Sequence, residues 1–306
     1  MRLCPANLDE LRHALATANG RRVPVTGWDL HALGALLEHH PEDMTATAQA
    51  GMSLADFQHT LAQAGQWLPL DPPFPKAMTL GALIAGNHSG PRRWGFGTAR
   101  DWLIGISVVL PDGRLVKSGG KVVKNVAGFD LCKVFVGSHG TLGIIVEATF
   151  KVLPLPKAQR ILQHICATLE EAGALLERVV GSRLHLDILD LHRLPGSPPT
   201  LVMGFGGPQE DVDEQCQALS HLGICQPGDM EYDGLFHKWP HRKCAVMPSA
   251  LMDTLARLEG CAFVARAGNG VIYHTQGPPA PPATAPSALQ QRLKDAFDPH
   301  HTLPSL

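Results

Sequence analysis

The pattern of apolar and polar residues predicts a mixed chain of helices and strands. Residues 8–19 repeat apolar positions at helical spacing, which predicts a first helix. In residues 44–50 apolar and polar residues alternate, as in a strand with one buried face. Ser53, followed three residues later by Asp56, predicts a capped helix over 54–64. The chain therefore begins with helices and strands mixed in sequence.

A hairpin and a buried strand complete the first half of the chain. Two apolar runs flank Asp112-Gly113, a dipeptide that favours the tight turn of an antiparallel hairpin. The run "IIVEATFKVL", which follows Gly143, predicts another strand. Pro154 and Pro156 then interrupt the pattern and predict a domain boundary near residue 157.

The second half predicts a smaller α+β unit. Its expected elements are a strand at 160–166, a helix after the Thr168 cap to about Val180, strands near 184–191 and 200–205, and a helix near 209–222. This strand–helix–strand–strand–helix order begins a ferredoxin-like unit. A helix and two strands follow, and then a proline-rich connector at 277–286 and a terminal helix at 287–297.

Composition and charge narrow the class of protein. The chain has 306 residues, 44% of them hydrophobic, with a formal net charge of −2. The absence of a basic excess argues against nucleic-acid binding. The chain lacks the roughly 18 consecutive apolar residues of a membrane helix, so we expect no direct membrane insertion.

The seven cysteines are scattered and form no CxxC pair. This pattern argues against a cysteine-ligated cluster and against a metal site, and it favours reduced thiols in a cytoplasmic protein. Membrane association through partners is the alternative.

Several short motifs that carry chemistry are incomplete. Gly204–Gly207 does not complete the dinucleotide fingerprint, and Gly120-Lys121 lacks the rest of a P-loop. Ser89 and Ser138 do not lie in a GxSxG elbow. No histidine lies in an HExxH motif. The motifs therefore leave the catalytic residues unassigned.

Two glycine-rich stretches remain as candidate ligand sites. They are "TLGALIAGNHSG" at Thr79–Gly90 and "VGSHGTLGII" at Val136–Ile145. Small residues allow close backbone approach, and amide groups in such turns bind anions without a formal charge. Two such stretches predict a long phosphorylated ligand; the alternative is tight packing of turns.

The stretch "KVVKNVAGFDLCKVFVGSHGTLGIIVEATFKVLPLP" resembles the FAD-binding domain of the vanillyl-alcohol oxidase and p-cresol methylhydroxylase (PCMH-type) family. Its Lys124–Leu131 and Gly137–Gly143 segments are similar to those of glycolate oxidase and D-lactate dehydrogenase flavoproteins. "AGNHSGPRRWGFGTARD" is similar to the FAD-binding (E) subunit type of bacterial glycolate oxidases.

The resemblance implies an α+β fold in three parts. These are a PCMH-type two-subdomain FAD-binding domain over 1–157, a ferredoxin-like α+β cap over 158–276, and the connector with a returning C-terminal helix over 277–306. The FAD contacts that it implies are Pro72, Pro73, Thr79, Leu80, Gly81, Asn87, Ser89, Gly90, Gly137, Gly140, Gly143, Ile144 and Ile145. Arg92 and Arg93 either neutralise a phosphate or carboxylate or form an exposed salt-bridged face.

The resemblance also implies an activity. The expected enzyme is an FAD-dependent oxidoreductase that acts on the CH–OH group of a small 2-hydroxy acid, glycolate or D-lactate, and gives the 2-oxo acid. In such a reaction a base takes the hydroxyl proton and hydride passes to the flavin. His237 and His274 are candidate bases. The expected partners are a catalytic glycolate oxidase flavoprotein subunit and an iron–sulfur subunit.

Two departures from the family pattern favour a second hypothesis. The expected phosphate loop reads "TGWDLH", with bulky Trp28 and acidic Asp29 where a phosphate should be approached. Leu303 and Pro304 stand where the family has an Asn-Pro-Gly turn. The second hypothesis is a non-catalytic scaffold subunit that joins the catalytic flavoprotein to the iron–sulfur subunit.

Overall fold

A computed structural model describes residues 1–120, 131–258, 260–275 and 286–305. Its strands are β1 Arg2–Leu3, β2 Gly27–Trp28, β3 Leu36–His40, β4 Thr45–Gln49, β5 Gln66–Trp67, β6 Leu103–Val109, β7 Leu115–Gly119, β8 Ile144–Lys151, β9 Leu153–Pro154, β10 Ala158–Ile165, β11 Ile188–Arg193, β12 Thr200–Gly207, β13 Gln226–Pro227, β14 Arg242–Ala245, β15 Phe263–Arg266 and β16 Val271–His274. Its α-helices are α1 Leu8–Gly20, α2 Leu54–Gln63, α3 Leu80–Ala85, α4 Arg93–Phe96, α5 Ala99–Trp102, α6 Cys132–Phe135, α7 Leu169–Val180, α8 Gln209–His221, α9 Glu231–Phe236, α10 Leu251–Arg257 and α11 Ala288–Phe297.

The chain divides into two compact units. The first unit comprises Met1–Ser89, Thr98–Leu155 and Thr284–Leu306, and the second comprises Gly90–Gly97 and Pro156–Ala283. The C-terminal helix α11 thus returns to the first unit, as expected. Gly90–Gly97 groups with the second unit, although no sequence pattern indicated this.

A five-stranded sheet with the order β3-β4-β8-β6-β7 organises the first unit. Strand β8 lies at its centre and pairs antiparallel with both β4 and β6. The predicted hairpin is present, because β6 pairs antiparallel with β7. β8 can be central because most of its residues are apolar and buried.

Side-chain caps begin the first two helices of this unit. The Asn7 side chain accepts the Glu10 amide at the start of α1, and the Ser53 side chain accepts the Asp56 amide at the start of α2. Leu11 and Leu15, one helical turn apart, are fully buried. Burial of each such side chain stabilises the fold by about 1.5–3 kcal/mol.

The second unit is an antiparallel sheet with helices. The strand order is β13-β10-β12-β11-β15-β16-β14. Helix α7 lies between β10 and β11 in the chain, and α8 follows β12, which gives the predicted strand–helix–strand–strand–helix order. Buried leucines of α7, α8 and α10 share one apolar core with β11 and β12. The expected α+β fold class is confirmed.

Some expectations differ from the structure or fall outside it. Strands β2 at Gly27–Trp28 and β3 at Leu36–His40 are not among the elements named from the sequence. Residues 277–285 of the proline-rich connector and Lys124–Asp130 of the glycolate oxidase motif lie outside the described residues. Within the described ranges, every helix is too short or too polar to cross a membrane.

Candidate functional site

A cavity of about 380 Å³ lies in the first unit, at the place where the two glycine-rich stretches meet. Three chain segments form most of its wall. They contribute Trp28, Asp29, Leu30 and His31, then Thr79, Gly81, Ala82, Ala85, Gly86 and His88, and finally His139, Gly140, Gly143 and Ile145. Arg2 and Ala50 complete the lining.

The first glycine-rich stretch forms the short helix α3 against the end of β4. The Thr79 hydroxyl accepts the Ala82 amide at 3.2 Å and caps the helix. The Gly81 amide donates to the Ala50 carbonyl at 2.8 Å. A Cβ atom on Gly81 would lie 3.2 Å from both the Cβ and the carbonyl oxygen of Ala50. Glycine therefore allows α3 to approach the backbone that follows β4.

The second glycine-rich stretch is a turn that hydrogen bonds to the first. Gly137, His139 and Gly140 have φ values of 78°, 49° and 74°, a left-handed region in which glycine is unstrained. The Gly137 amide donates to the Ile84 carbonyl at 3.0 Å, and the His139 amide donates to the Ala85 carbonyl at 2.9 Å. The structure thus brings together two stretches that are about fifty residues apart in the chain.

Two buried polar atoms near this junction have no hydrogen-bond partner in the described part of the chain. They are Asn87 Oδ1 and Ser138 Oγ. Asn87 has φ 44°, a conformation that side chains other than glycine rarely adopt. A buried polar group without a partner costs about 1–3 kcal/mol, so such atoms mark places where a polar ligand can bind. The residues of the two stretches therefore fit a polar, phosphorylated cofactor.

The facing wall is formed by the segment that replaces the family's phosphate loop. The Trp28 ring lies against Gly140, and a Cβ atom on Gly140 would overlap this ring. Trp28 thus occupies the space beside the glycine at which a ligand phosphate would be expected. This contact is a structural consequence of the sequence "TGWDLH", in which Trp28 stands where the family has a small residue.

Asp29 brings a negative charge to the same wall. Its Oδ1 accepts the His31 amide at 3.0 Å and pairs with His31 Nδ1 at 2.5 Å. The hydrogen bond from the His31 backbone is the main cause that lowers the pKa of Asp29, and the nearby charge of Arg2 acts in the same direction. Asp29 is therefore ionised at neutral pH, and its charge is partly balanced by Arg2 and His31.

The cavity gathers some of the residues predicted to bind FAD. Those that line it are Thr79, Gly81, Gly140, Gly143 and Ile145. Leu80 and Ile144 are fully buried beside them. Asn87, Ser89 and Gly137 belong to the same two stretches but do not line the cavity, and neither do Pro72 and Pro73. Gly90 groups with the second unit. FAD contact stays a prediction for every one of these residues.

Some lining residues were not among the predicted contacts. Arg2, Ala50, His88 and His139 line the cavity. His88 and His139 belong to the two glycine-rich stretches, whereas Arg2 and Ala50 lie outside them. Ala50 lies at the end of the alternating run 44–50, where a small residue before Gly51 signals close packing. His139 has a positive φ between two glycines, which is the only local signal that it carries.

Arg92 and Arg93 lie in the second unit. The guanidinium of Arg92 donates to Gln159 Oε1 at 3.0 Å. The charge of Arg93 contributes to the lowered pKa of Lys243, whose main cause is burial. Both arginines thus interact with residues of the second unit.

The second unit also contains a buried ionic network. Arg266 pairs with Asp190 and, at 2.6 Å, with Asp233. The Tyr232 hydroxyl donates to Asp190 Oδ2 at 2.7 Å. Burial raises the pKa of Asp190 to about 6, while Arg266 and His237 keep the pKa of Asp233 low despite its burial. The network therefore holds one carboxyl that is readily protonated and one that stays ionised.

Both histidines named as candidate bases lie in the second unit. His237 Nδ1 lies 2.8 Å from the Asp233 carbonyl oxygen and 3.4 Å from Asp233 Oδ1. This contact places the proton of a neutral imidazole on Nδ1 and leaves Nε2 as the basic nitrogen. His274 is buried in β16.

Comparisons with known proteins agree with the resemblance to FAD-binding proteins. Residues 28–119 match the family model described as "FAD binding domain". The chain is 30% identical over 74% of its length to the glycolate oxidase subunit GlcD of Bacillus subtilis, and covers 55% of that relative. It is 36% identical over 50% of its length to the glycolate oxidase subunit GlcE of Escherichia coli, and covers 45% of it.

More distant relatives extend the comparison. A mitochondrial D-lactate dehydrogenase [cytochrome] of Saccharomyces cerevisiae is 36% identical over 49% of this chain, which covers 25% of that relative. A solved structure of alkyldihydroxyacetonephosphate synthase superposes with a TM-score of 0.75 at 18% identity, over 98% of this chain and 75% of that one. At this identity the match shows the fold alone.

These comparisons confirm the family resemblance drawn from the glycine-rich motifs. The chain spans about half the length of the glycolate oxidase subunits that it matches. Residues 28–119 therefore match the FAD binding domain model, and the relatives of the chain include glycolate oxidase subunits and a D-lactate dehydrogenase.

Proposed function

We propose that this chain is the FAD-binding subunit of a glycolate oxidase-type complex that oxidises a small 2-hydroxy acid, glycolate or D-lactate, to the 2-oxo acid. The observation that carries the proposal is the cavity at which Thr79–Gly90 meets Val136–Ile145. The first of these stretches lies within residues 28–119, which match the FAD binding domain model, and the second follows them in the chain. The names of the relatives supply the reaction class, since they act on glycolate and D-lactate.

The residues of the cavity have separate tasks in this proposal. Gly81, Gly140 and Gly143 allow the protein backbone to approach the cofactor's pyrophosphate. Asn87 and Ser138 lie outside the cavity lining but in the two stretches that form its wall, and each has a polar atom without a partner within the described ranges. Arg2 offsets the charge of Asp29 on the facing wall. The predicted contacts at Pro72, Pro73, Leu80, Ser89, Gly90, Gly137, Ile144 and Ile145 are part of the same proposal.

Bound FAD would supply the acceptor for the two electrons that leave the CH–OH carbon of the hydroxy acid. The chain's own contribution is to bind the cofactor.

We also propose that the chain works with two partners, a catalytic glycolate oxidase flavoprotein subunit and an iron–sulfur subunit. Two of the relatives are themselves named as subunits. The seven cysteines of this chain lack a cluster-binding motif, so a partner must carry the iron–sulfur centres.

One observation favours the alternative of a non-catalytic scaffold subunit. The Trp28 ring lies on Gly140 and Asp29 brings a negative charge to the same wall, and both features disfavour a pyrophosphate beside Gly140. A scaffold that has lost FAD would keep the fold and its surface for the two partners, and would accumulate such substitutions without loss of function.

The visible spectrum of the purified, desalted chain separates the two functions. The flavoprotein proposal expects the bands of oxidised flavin at about one flavin per chain, and their bleaching by glycolate or D-lactate in the assembled complex. A colourless chain that does not take up added FAD, yet assembles both partners, would overturn the proposal in favour of the scaffold.

The Trp28→Ala variant tests the role of the facing wall. Removal of the ring opens the space beside Gly140, so FAD should bind about 3–10-fold more tightly, as measured by flavin fluorescence quenching. Trp28→Phe keeps a ring and is the matched control, with an affinity close to that of the wild type. Weaker FAD binding in Trp28→Ala would mean that the ring supports the cofactor rather than blocking it.

A further inference from the structure

Three side chains that can bind metal ions converge at the junction of β10 and α7, in the second unit. They are His164, Cys166 and Glu171, and one ligand atom from each lies within 4.8 Å of the others. His164 and Cys166 are two residues apart at the end of an extended segment, so their side chains point to the same face. Ile165 between them is exposed.

Glu171 reaches this face because of the way in which α7 begins. The Thr168 hydroxyl accepts the Glu171 amide at 3.1 Å, and Glu171 Oε2 in return accepts the Ala167 amide at 2.6 Å. The helix cap therefore uses one carboxylate oxygen. The other oxygen, Oε1, lies 3.7 Å from His164 Nε2. The fold thus holds the carboxylate in place and presents its second oxygen to the histidine.

The spacing of these atoms is close to that of a metal site. Around a tetrahedral zinc ion with Zn–N and Zn–O bonds of about 2.0–2.1 Å and a Zn–S bond of about 2.3 Å, neighbouring ligand atoms are roughly 3.3–3.6 Å apart. The His164–Glu171 separation of 3.7 Å is already near this value. The remaining separations, all within 4.8 Å, need a contraction of about 1 Å, which side-chain rotation can supply.

The third ligand is the thiol of Cys166. Cys166 is fully buried, and its Sγ lies 3.8 Å from the His164 carbonyl oxygen as a weak donor. A divalent cation that binds here forms a bond to sulfur and releases the thiol proton to solvent, as metal–thiolate formation requires.

We propose that His164, Cys166 and Glu171 form a binding site for a thiophilic divalent cation of the Zn²⁺ class, with a fourth coordination position open to water. One sulfur, one imidazole nitrogen and one carboxylate oxygen form a donor set that suits Zn²⁺, whereas Mg²⁺ and Ca²⁺ require more oxygen ligands. The site lies outside the candidate FAD cavity, so it is independent of the proposed function.

Titration of the reduced, desalted full-length chain with Co²⁺ tests this site, since a cobalt–thiolate bond gives an intense charge-transfer band. We expect one Co²⁺ per chain, displaced by Zn²⁺ and unaffected by excess Mg²⁺. Cys166→Ser should abolish the band. Cys225→Ser, which removes an exposed cysteine elsewhere in the same unit, is the matched control and should keep it.

Two further variants keep the proposal testable if the buried Cys166→Ser variant is unstable. His164→Gln removes the imidazole, and Glu171→Gln keeps an acceptor for the Ala167 amide while removing the charge. Each should weaken Zn²⁺ binding at least tenfold and remove the Zn²⁺-induced rise in melting temperature. Unchanged Zn²⁺ affinity in both variants, or a wild-type chain without the cobalt band, would overturn the proposal.

Discussion

At the scale of single residues, the candidate FAD site depends on positions where only glycine avoids both strain and collision. Gly140 combines a φ of 74° with direct contact to the Trp28 ring. Gly143 is close to β6, where an added Cβ would lie 2.5 Å from Val108 Cγ1. These two glycines are therefore required by the local geometry whether or not a cofactor is bound.

Substitution of Gly140 by alanine should reduce FAD binding more than it reduces stability. The left-handed backbone costs a residue other than glycine roughly 1–2 kcal/mol, and the new methyl group would push the Trp28 ring, which lines the cavity, out of its place. Gly65→Ala is the matched control, because Gly65 has a similar φ of 67° and open space around it. We expect Gly140→Ala to bind FAD at least tenfold more weakly and Gly65→Ala to bind it normally, as measured by flavin fluorescence.

Equal FAD affinities in the two variants would place the cofactor away from Gly140. Urea unfolding of both variants measures the backbone strain separately. Gly65→Ala reports the cost of the backbone alone, so any additional loss of unfolding free energy in Gly140→Ala measures the collision of its methyl group with Trp28.

The carboxyls of Asp190 and Asp233 predict opposite responses to pH. Burial raises the folded-state pKa of Asp190 from 3.8 to about 6, so its contribution to stability is complete at low pH and is lost as pH rises through 6. The pKa of Asp233 is lowered, so its contribution is present at neutral pH and is lost in acid, below its ordinary pKa.

Neutral amides at the two positions test this difference. Asp190→Asn resembles the protonated carboxyl, so its stability relative to the wild type should improve between pH 5 and pH 8. Asp233→Asn leaves Arg266 with a weaker partner and should cost about 3–5 kcal/mol at pH 7. Urea titrations from about pH 3 to pH 8 cover the ranges in which both carboxyls titrate, and identical pH profiles for the two variants would contradict the assignment.

At the scale of elements, the C-terminal helix α11 supports the second glycine-rich stretch. Lys294, 2% exposed, donates to the Thr141 carbonyl at 2.8 Å, to Asp298 Oδ2 at 2.6 Å and to the Pro304 carbonyl at 2.9 Å. Thr141 is the residue between Gly140 and Leu142, so a single ammonium group connects the helix, the following turn and the candidate site.

Replacement of Lys294 by methionine should destabilise the first unit and loosen the cavity. The change leaves the buried carboxylate of Asp298 without its cation, which typically costs about 3–5 kcal/mol. Lys117→Met is the control, since Lys117 is largely exposed and its 3.5 Å pair with Glu147 is worth about 1 kcal/mol or less. The free energy of unfolding measured with urea and the amount of bound flavin should both decrease in Lys294→Met and not in Lys117→Met. A loss of unfolding free energy in Lys294→Met as small as that in Lys117→Met would contradict this role of Lys294.

Sequence patterns predicted the elements that depend on nearby residues. The caps at Ser53 and Thr168, the hairpin at Asp112-Gly113 and the two glycine-rich stretches all carry local signals, and all appear where expected. Contacts between distant residues carried no such signal. Lys294 lies in an ordinary amphipathic helical pattern, and nothing in its neighbourhood indicates that it is buried.

The same limit applies to the functional groups. Trp28 and Gly140 meet because β2 and the second glycine-rich stretch approach each other in the folded first unit. Arg266 finds Asp190 and Asp233 in the sheet and in α9, at separations of 76 and 33 residues. The Thr168 cap was predicted from the sequence, but the approach of Glu171 to His164 and Cys166 depends on how α7 follows β10.

At the scale of the whole molecule, binding of FAD should raise the stability of the protein towards heat. A ligand that binds only the folded state stabilises it by about 2.7 kcal/mol when its concentration is 100 times its Kd. In a unit of this size that corresponds to a rise of roughly 5–10 °C in melting temperature. FAD should therefore raise the temperature at which the first unit unfolds.

The specificity of this rise tests which part of FAD the cavity recognises. The glycine-rich stretches are proposed to meet the pyrophosphate, so ADP should give part of the shift and riboflavin, which has no phosphate, should give none. Calorimetry measures the melting temperature of the chain with each ligand. A rise with riboflavin but not with ADP would contradict the pyrophosphate assignment, and no rise with FAD would favour the scaffold.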